Sequence, residues 1–221
     1  MLTRRHIRIK VMQSVYSFSL TEEKEFKDEF LFFEQSVDQF YNLYFLLLGL
    51  FKALKNQTEE QIKAYSIHKI KIDKNFNALN ALTQNKVLNF IGSHNELEIT
   101  LRSKKFLHWD LEIIFLNDLL SEILKWDEFE NYIRLELRTE KDDKNWFIKF
   151  FKEILTNSKY LFNYLEDYQL TWIDDLPVVN TFILKMLRKI DEKKPRSLKL
   201  PSKISDNEVI DFGKDLLKKT I

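Results

Sequence analysis

The chain has 221 residues, of which 44% are hydrophobic and 31% charged, which is ordinary for a folded globular protein. It contains no cysteine, which excludes disulfides and thiolate chemistry and fits a reducing cytoplasm. The 19 Phe, 8 Tyr and 4 Trp side chains bury large areas, so the composition indicates a packed core.

Helical spacing dominates the sequence, and only three Gly and three Pro interrupt it. We therefore predict an all-α fold of helical bundles. A first helix is expected from Arg4 to Leu20, with Thr3 as its N-cap and a buried stripe of Ile7, Val11, Val15 and Phe18. A second helix follows Thr21, and its aromatic spacing continues to about Lys55.

The middle of the chain predicts a series of shorter helices. Thr58-Glu59-Glu60-Gln61 has the pattern of a capping box, which would start a helix to about Ile72. Asp175 is expected to cap a later helix, with Pro177 in its first turn and its end near Ile190. Other helices are predicted at 74–80, 85–91, 95–104, 107–124, 128–137, 145–155 and 159–166.

The end of the chain contains a linker and one more helix. Residues 192–203 hold two prolines and five basic residues, which predicts an exposed connection. The last helix begins after Ser205, which forms a second capping-box pattern with Glu208. Its apolar face needs a partner, and no later segment can provide one. The most apolar run, 43–54, is too short to span a bilayer and predicts a buried helix face.

Positive charge gathers in the first helix. Residues 1–20 carry four cations and no acid, whereas the next fourteen residues carry six acids and two lysines. On a helical wheel Arg4 and Arg8 lie beside the apolar stripe. The following strip holds Arg5, Ile9, Met12 and Tyr16, and the far face holds His6, Lys10 and Gln13.

Cations in a first helical turn oppose the helix dipole, and a bound anion would reverse that cost. Arginine binds phosphate with two hydrogen bonds, and tyrosine can stack on unpaired bases. The pattern indicates nucleic-acid binding, although a solvated basic face without a ligand has the same pattern. No nucleophile, phosphate-binding or metal-ligand motif occurs, and the four histidines lack metal-ligand spacing. The sequence therefore predicts neither an enzyme nor a cofactor or metal site.

The opening residues also resemble a known family. The pattern Arg4-Arg5-His6-x-Arg8-x-Lys10-Val11-x-Gln13-x-x-Tyr16 is similar to the arginine-rich first helix of NusB, the bacterial transcription antitermination factor. The residues at positions 5–13 resemble those of the long form found in Bacteroidetes, which has a large helical insertion after the first helix. In this chain, the segment Trp172-Ile173-Asp174-Asp175-Leu176-Pro177 is similar to part of that insertion. The residues Asp211-Phe212 and Asp215-Leu216-Leu217 are similar to the helix in which the shared NusB core resumes.

The resemblance implies a division of the chain into a first core helix at 1–20, a helical insertion at 21–191, a basic linker at 192–204 and a resumed core at 205–221. The family continues with a second small bundle, so the resemblance implies that this chain is truncated. NusB acts in the cytoplasm without enzymatic activity. With ribosomal protein NusE it binds the boxA element of nascent ribosomal RNA in the RNA polymerase antitermination complex.

By position, the resemblance implies RNA contacts from the first helix. Phosphate contacts would come from Arg4, Arg5, Arg8 and Lys10, and contacts near bases from Gln13 and Tyr16, with His6 in the same segment. Two alternatives stay open. A NusB-like domain also precedes a family of ribosomal RNA cytosine methyltransferases, whose cofactor domain this sequence lacks, and a helical scaffold could bind protein alone.

Overall fold

A computed structural model describes residues 1–20, 25–68, 73–104, 109–190 and 200–221. Within these ranges the chain forms eleven α-helices and no strand, which confirms the predicted all-α class. The helices are α1 Arg4–Ser19, α2 Phe26–Ile67, α3 Lys74–Thr83, α4 Lys86–Gly92, α5 Asn95–Ser103, α6 Ile113–Lys125, α7 Asp127–Ile133, α8 Glu140–Glu153, α9 Lys159–Tyr168, α10 Thr171–Lys189 and α11 Asn207–Thr220.

Helix α2 is the central element of the fold. Its 42 residues make it about 63 Å long from the helical rise per residue. All twelve residues from Phe40 to Phe51 are buried, so this stretch is enclosed by other helices on every side. Helices α1, α10 and α11 pack against its first half, and α3, α4, α5 and α6 pack further along.

The apolar run predicted as a buried helix face lies within α2, where residues 43–51 are all buried. Among the helices that the structure describes, none combines the length and the apolar character that a membrane crossing requires.

The predicted capping box at Thr58 is wrong. Helix α2 continues through this position to Ile67 without interruption. The buried Thr58 hydroxyl donates to the carbonyl oxygen of Leu54 at 2.7 Å. A threonine inside a helix can satisfy its hydroxyl in this way, so the local pattern did not require a helix start.

The predicted start of α10 is also wrong. The helix begins at Thr171, and Asp175 lies inside it without capping it. Pro177 stands one turn later than expected, in the helix interior. The indole nitrogen of the buried Trp172 donates to the carbonyl oxygen of Gln39 at 2.9 Å and fixes this end of α10 against α2.

Other predicted boundaries differ more modestly. Helix α7 ends at Ile133, four residues before the predicted end, and α8 begins at Glu140 after a capping box of Thr139 and Asp142 that the sequence analysis missed. The predicted helix start at residue 107 lies outside the described residues. So do 191–199, which include most of the predicted linker.

Helix α11 finds its partner in the first helix of the chain. It packs against α1 and α2 and buries Ile210, Gly213 and Leu217. The partner that its apolar face was predicted to need therefore precedes it in the sequence. At Gly213 the helices are so close that an added Cβ would lie 2.5 Å from Ile7 Cγ2 and 2.5 Å from Phe33 Cζ.

The predicted cap at Ser205 is wrong. The Ser205 hydroxyl donates to the carbonyl oxygen of Ser202, and a short 3-10 turn, Lys203–Asp206, precedes α11.

The buried carboxylate of Asp206 joins the start of the chain to the segment before α11. Asp206 accepts hydrogen bonds from the α-amino group of Met1, from the Leu2 N–H at 2.7 Å and from the Tyr41 hydroxyl. Burial alone would raise the pKa of Asp206, but these donors outweigh it and lower that pKa.

Candidate nucleic-acid interface

Helix α1 lies on α2, with α11 along one side and α10 along the other. Its predicted cap is confirmed, since Thr3 accepts a hydrogen bond from the His6 N–H and the His6 ring reaches back to the Thr3 backbone. Of the predicted stripe, Ile7 and Val11 are buried and Val15 packs on the core. These contacts leave one face of α1 exposed.

Two arginines of α1 lie on the edge next to α11. The guanidinium carbons of Arg4 and Arg8 lie 5.2 and 5.7 Å from the centre of the Phe212 ring. Both side chains are exposed, as is that of Arg5. Within the described ranges, none of the three guanidinium groups forms a salt bridge with an acid.

A strip of apolar and aromatic side chains continues from Arg5 along α1. Ile9 is 42% exposed, Met12 63% and Tyr16 65%, as the helical wheel predicts for this strip. Side chains of this kind offer flat or apolar contact area, while the arginines offer charge-assisted donors. We call the following six residues the α1 surface: Arg4, Arg5, Arg8, Ile9, Met12 and Tyr16.

Lys10 does not belong to this surface, contrary to the sequence prediction. Its side chain is 3% exposed, and its ammonium group forms a salt bridge with Asp175 of α10 at 2.8 Å. Burial raises the pKa of Asp175, and the charge of Lys10 opposes that shift. Lys10 thus joins α1 to α10 and does not reach a ligand on the outside of the helix.

His6 and Gln13 lie on the same face as Lys10, which the wheel predicted to be the far face. Helix α10 covers part of that face, because its residues pack beside α1. The half-buried His6 ring takes part in the helix cap and stacks near Phe40, with ring centres 6.4 Å apart. The Gln13 amide donates to Asp174 at 2.9 Å. Both side chains are therefore occupied by contacts within the protein.

The structure adds a cation that the sequence analysis missed. Helix α10 runs antiparallel to α1, since Asp175 pairs with Lys10 whereas Phe182, further along α10, lies against His6. This places the exposed Lys185 near the start of α1. Burial first, and then the charges of Arg5, Lys10 and Lys185, lower the pKa of His6. No local sequence pattern relates Lys185 to α1, because only the packing of α10 brings the two together.

The α1 surface therefore combines cations without acidic partners among the described residues, a helix N-terminus without acids and an exposed strip of apolar side chains with one tyrosine, and Lys185 lies at its border. This arrangement can accept phosphates on one edge and flat groups along its centre. Comparison of the chain with known protein families, with curated proteins and with solved structures finds no match.

Proposed function

We propose that the protein binds single-stranded RNA through the α1 surface, as an antitermination factor of the NusB type. In this proposal it acts on boxA-type nascent ribosomal RNA, together with ribosomal protein NusE in the RNA polymerase antitermination complex. The observation that carries the RNA-binding part is the exposure of Arg4, Arg5 and Arg8 without an acidic partner among the described residues. The boxA element, NusE and the polymerase complex follow from the resemblance of the first helix.

The charge arrangement of α1 supports an anionic ligand. The first turn of α1 contains no acid, and its N-terminus already carries the positive end of the helix dipole. Each exposed cation there costs about 0.3–1 kcal/mol when no ligand is bound. A phosphate would interact favourably with both the guanidinium groups and the helix N-terminus. Binding of the ligand would therefore offset the repulsion between the cations and the helix dipole.

The exposed strip supports a single strand over a duplex. Unpaired bases can stack on Tyr16 and lie against Met12 and Ile9, whereas a duplex keeps its base faces inside the stack. The strip and the arginines lie on adjacent rows of one helix, so one strand can contact both rows. RNA recognition of this kind depends on phosphate contacts that position the strand and on stacking of its bases, so it needs no catalytic group.

The first prediction concerns the salt dependence of RNA binding. Four phosphate contacts, from Arg4, Arg5 and Arg8 on α1 and from Lys185 at its border, give an expected slope of log affinity against log salt of about −3 for single-stranded RNA. We expect the double variant Arg4→Ala/Arg8→Ala to bind at least about tenfold more weakly and to have a slope near −1.4, since two contacts remain. Fluorescence anisotropy with a labelled boxA-type RNA across a salt series measures both quantities.

The matched control removes two arginines that lie in exposed ion pairs elsewhere, Arg102 with Glu98 and Arg134 with Glu130. Arg102→Ala/Arg134→Ala changes the net charge equally and is expected to leave the slope unchanged. A salt-independent affinity for the unmodified protein would contradict the proposal. An equal loss of RNA affinity in Arg4→Ala/Arg8→Ala and Arg102→Ala/Arg134→Ala would also contradict the proposal. Capture of a protein partner without any RNA shift at low salt would instead favour a helical scaffold.

A second prediction tests the border of the α1 surface on α10. Since Lys185 lies near the start of α1, we expect Lys185→Ala to reduce the salt slope by about 0.7, the share of one phosphate contact. Lys74 is a suitable control because it is 74% exposed and follows Asp73, which accepts a hydrogen bond from Tyr65 near the far end of α2. If Lys185→Ala and Lys74→Ala give the same slope, the RNA does not extend onto α10.

A further inference from the structure

Two arginines share one aromatic ring at the edge of the α1 surface. Arg4 and Arg8 stand one turn apart on α1, and both guanidinium groups lie within 6 Å of the Phe212 ring centre on α11. Like charges at this spacing repel each other, and among the described residues no acid pairs with either group. The ring is therefore the feature that keeps the two side chains together.

An aromatic ring can hold a cation because its face carries the negative part of the ring quadrupole. Arginine otherwise samples many rotamers, and restricting them on ligand binding costs conformational entropy. A side chain that is already held on a ring loses less freedom when a phosphate arrives. Both arginine residues are also exposed to solvent, so a phosphate can approach them.

We infer that Phe212 is a positioning residue for RNA binding, which holds Arg4 and Arg8 side by side for neighbouring phosphates of one strand. The inference rests on the proposed function and deepens it, because it assigns a role on the RNA-binding surface to a residue of the last helix. The packing of α11 depends mainly on other residues, since Ile210, Gly213 and Leu217 are its buried side, whereas Phe212 is only half-buried.

The test compares Phe212→Leu, which removes the ring, with Phe212→Tyr, which keeps it. We expect Phe212→Leu to bind a boxA-type single-stranded RNA about tenfold more weakly, since two cation–π contacts are lost. The salt slope should stay that of the unmodified protein, because the same phosphates are still neutralised. Phe212→Tyr should keep the original affinity. Phe90→Leu, which changes a half-buried phenylalanine of α4, is the control and should also keep it.

A second measurement needs no variant. In the unmodified protein without RNA, nuclear magnetic resonance should show the Nε–H signals of Arg4 and Arg8 shifted by the ring current of Phe212. Unshifted signals, unchanged RNA affinity of Phe212→Leu, or equal weakening by Phe212→Tyr would each overturn the inference. Failure of the proposed function is distinguishable, since the unmodified protein would then not bind the RNA while the ring-current shift would persist.

Discussion

We expect replacement of Asp175 by leucine to lower the free energy of unfolding by about 3 kcal/mol. The substitution leaves the Lys10 ammonium group, which is 3% exposed, without its counter-charge. A nearby contact with the Phe40 ring, whose centre lies 5.8 Å from the Lys10 nitrogen, compensates only in part. Urea unfolding followed by circular dichroism measures the loss.

The double variant Lys10→Met/Asp175→Leu should recover most of this stability, because it replaces the buried pair by apolar groups of similar size. Asp174→Ala is the matched control, since Asp174 is exposed and its bond to Gln13 is a surface contact. We expect this control to cost less than about 1 kcal/mol. Equal losses for Asp175→Leu and Asp174→Ala would contradict a buried ion pair between α1 and α10.

The same double variant also tests the assignment of Lys10. Because Lys10 is buried, its replacement should leave the salt slope of RNA binding unchanged. A slope reduced by about 0.7 would mean that Lys10 reaches a phosphate after all.

The second large effect is expected at Gly213. Gly213→Ala places a Cβ 2.5 Å from Ile7 Cγ2 and from Phe33 Cζ, and both of these side chains are fully buried. Neither can move aside freely, so α11 must shift away from α1. We expect a loss of about 2 kcal/mol, despite the better helix propensity of alanine. Urea unfolding gives the loss, and faster hydrogen exchange in α1 and α11 should accompany it.

Gly92→Ala provides the matched control for this substitution. It is also a buried helical glycine, but its added Cβ would meet the aliphatic chain of Lys55, with Cδ at 2.6 Å, and that chain can turn aside. The change in stability should stay within about 1 kcal/mol and should favour alanine if the lysine moves freely. If Gly92→Ala is as destabilising as Gly213→Ala, close packing of α11 on α1 is not the cause.

The fold class and the first helix were predictable because their signals are local. Thr3, Ile7 and Val11 lie within three turns of each other, so capping and periodicity act over the distances that sequence patterns describe. At Thr58 a local pattern failed, because burial of α2 among other helices favours a continuous helix over a new start. Tertiary packing overrides such signals when the segment lies in the core.

The site was predictable only in part. The wheel of α1 places Arg4, Arg8 and the exposed strip correctly, because these positions depend on helical geometry alone. Lys10 was misplaced because its partner Asp175 is 165 residues away, and no local pattern reports that contact. Phe212 and Lys185 reach α1 in the same way, through packing of helices that are distant in sequence.

The pairing of the first and last helices has a consequence for biosynthesis. Leu2 and Asp206 are 204 residues apart, and α1 buries its side toward α11 only when residues 207–220 are present. At ordinary rates of translation, α1 leaves the ribosome about 10–40 s before α11 does. During that interval Ile7 lacks the close contact with Gly213, and Arg4 and Arg8 lack the Phe212 ring. The α1 surface therefore reaches its final form only after residues 207–220 have been synthesised.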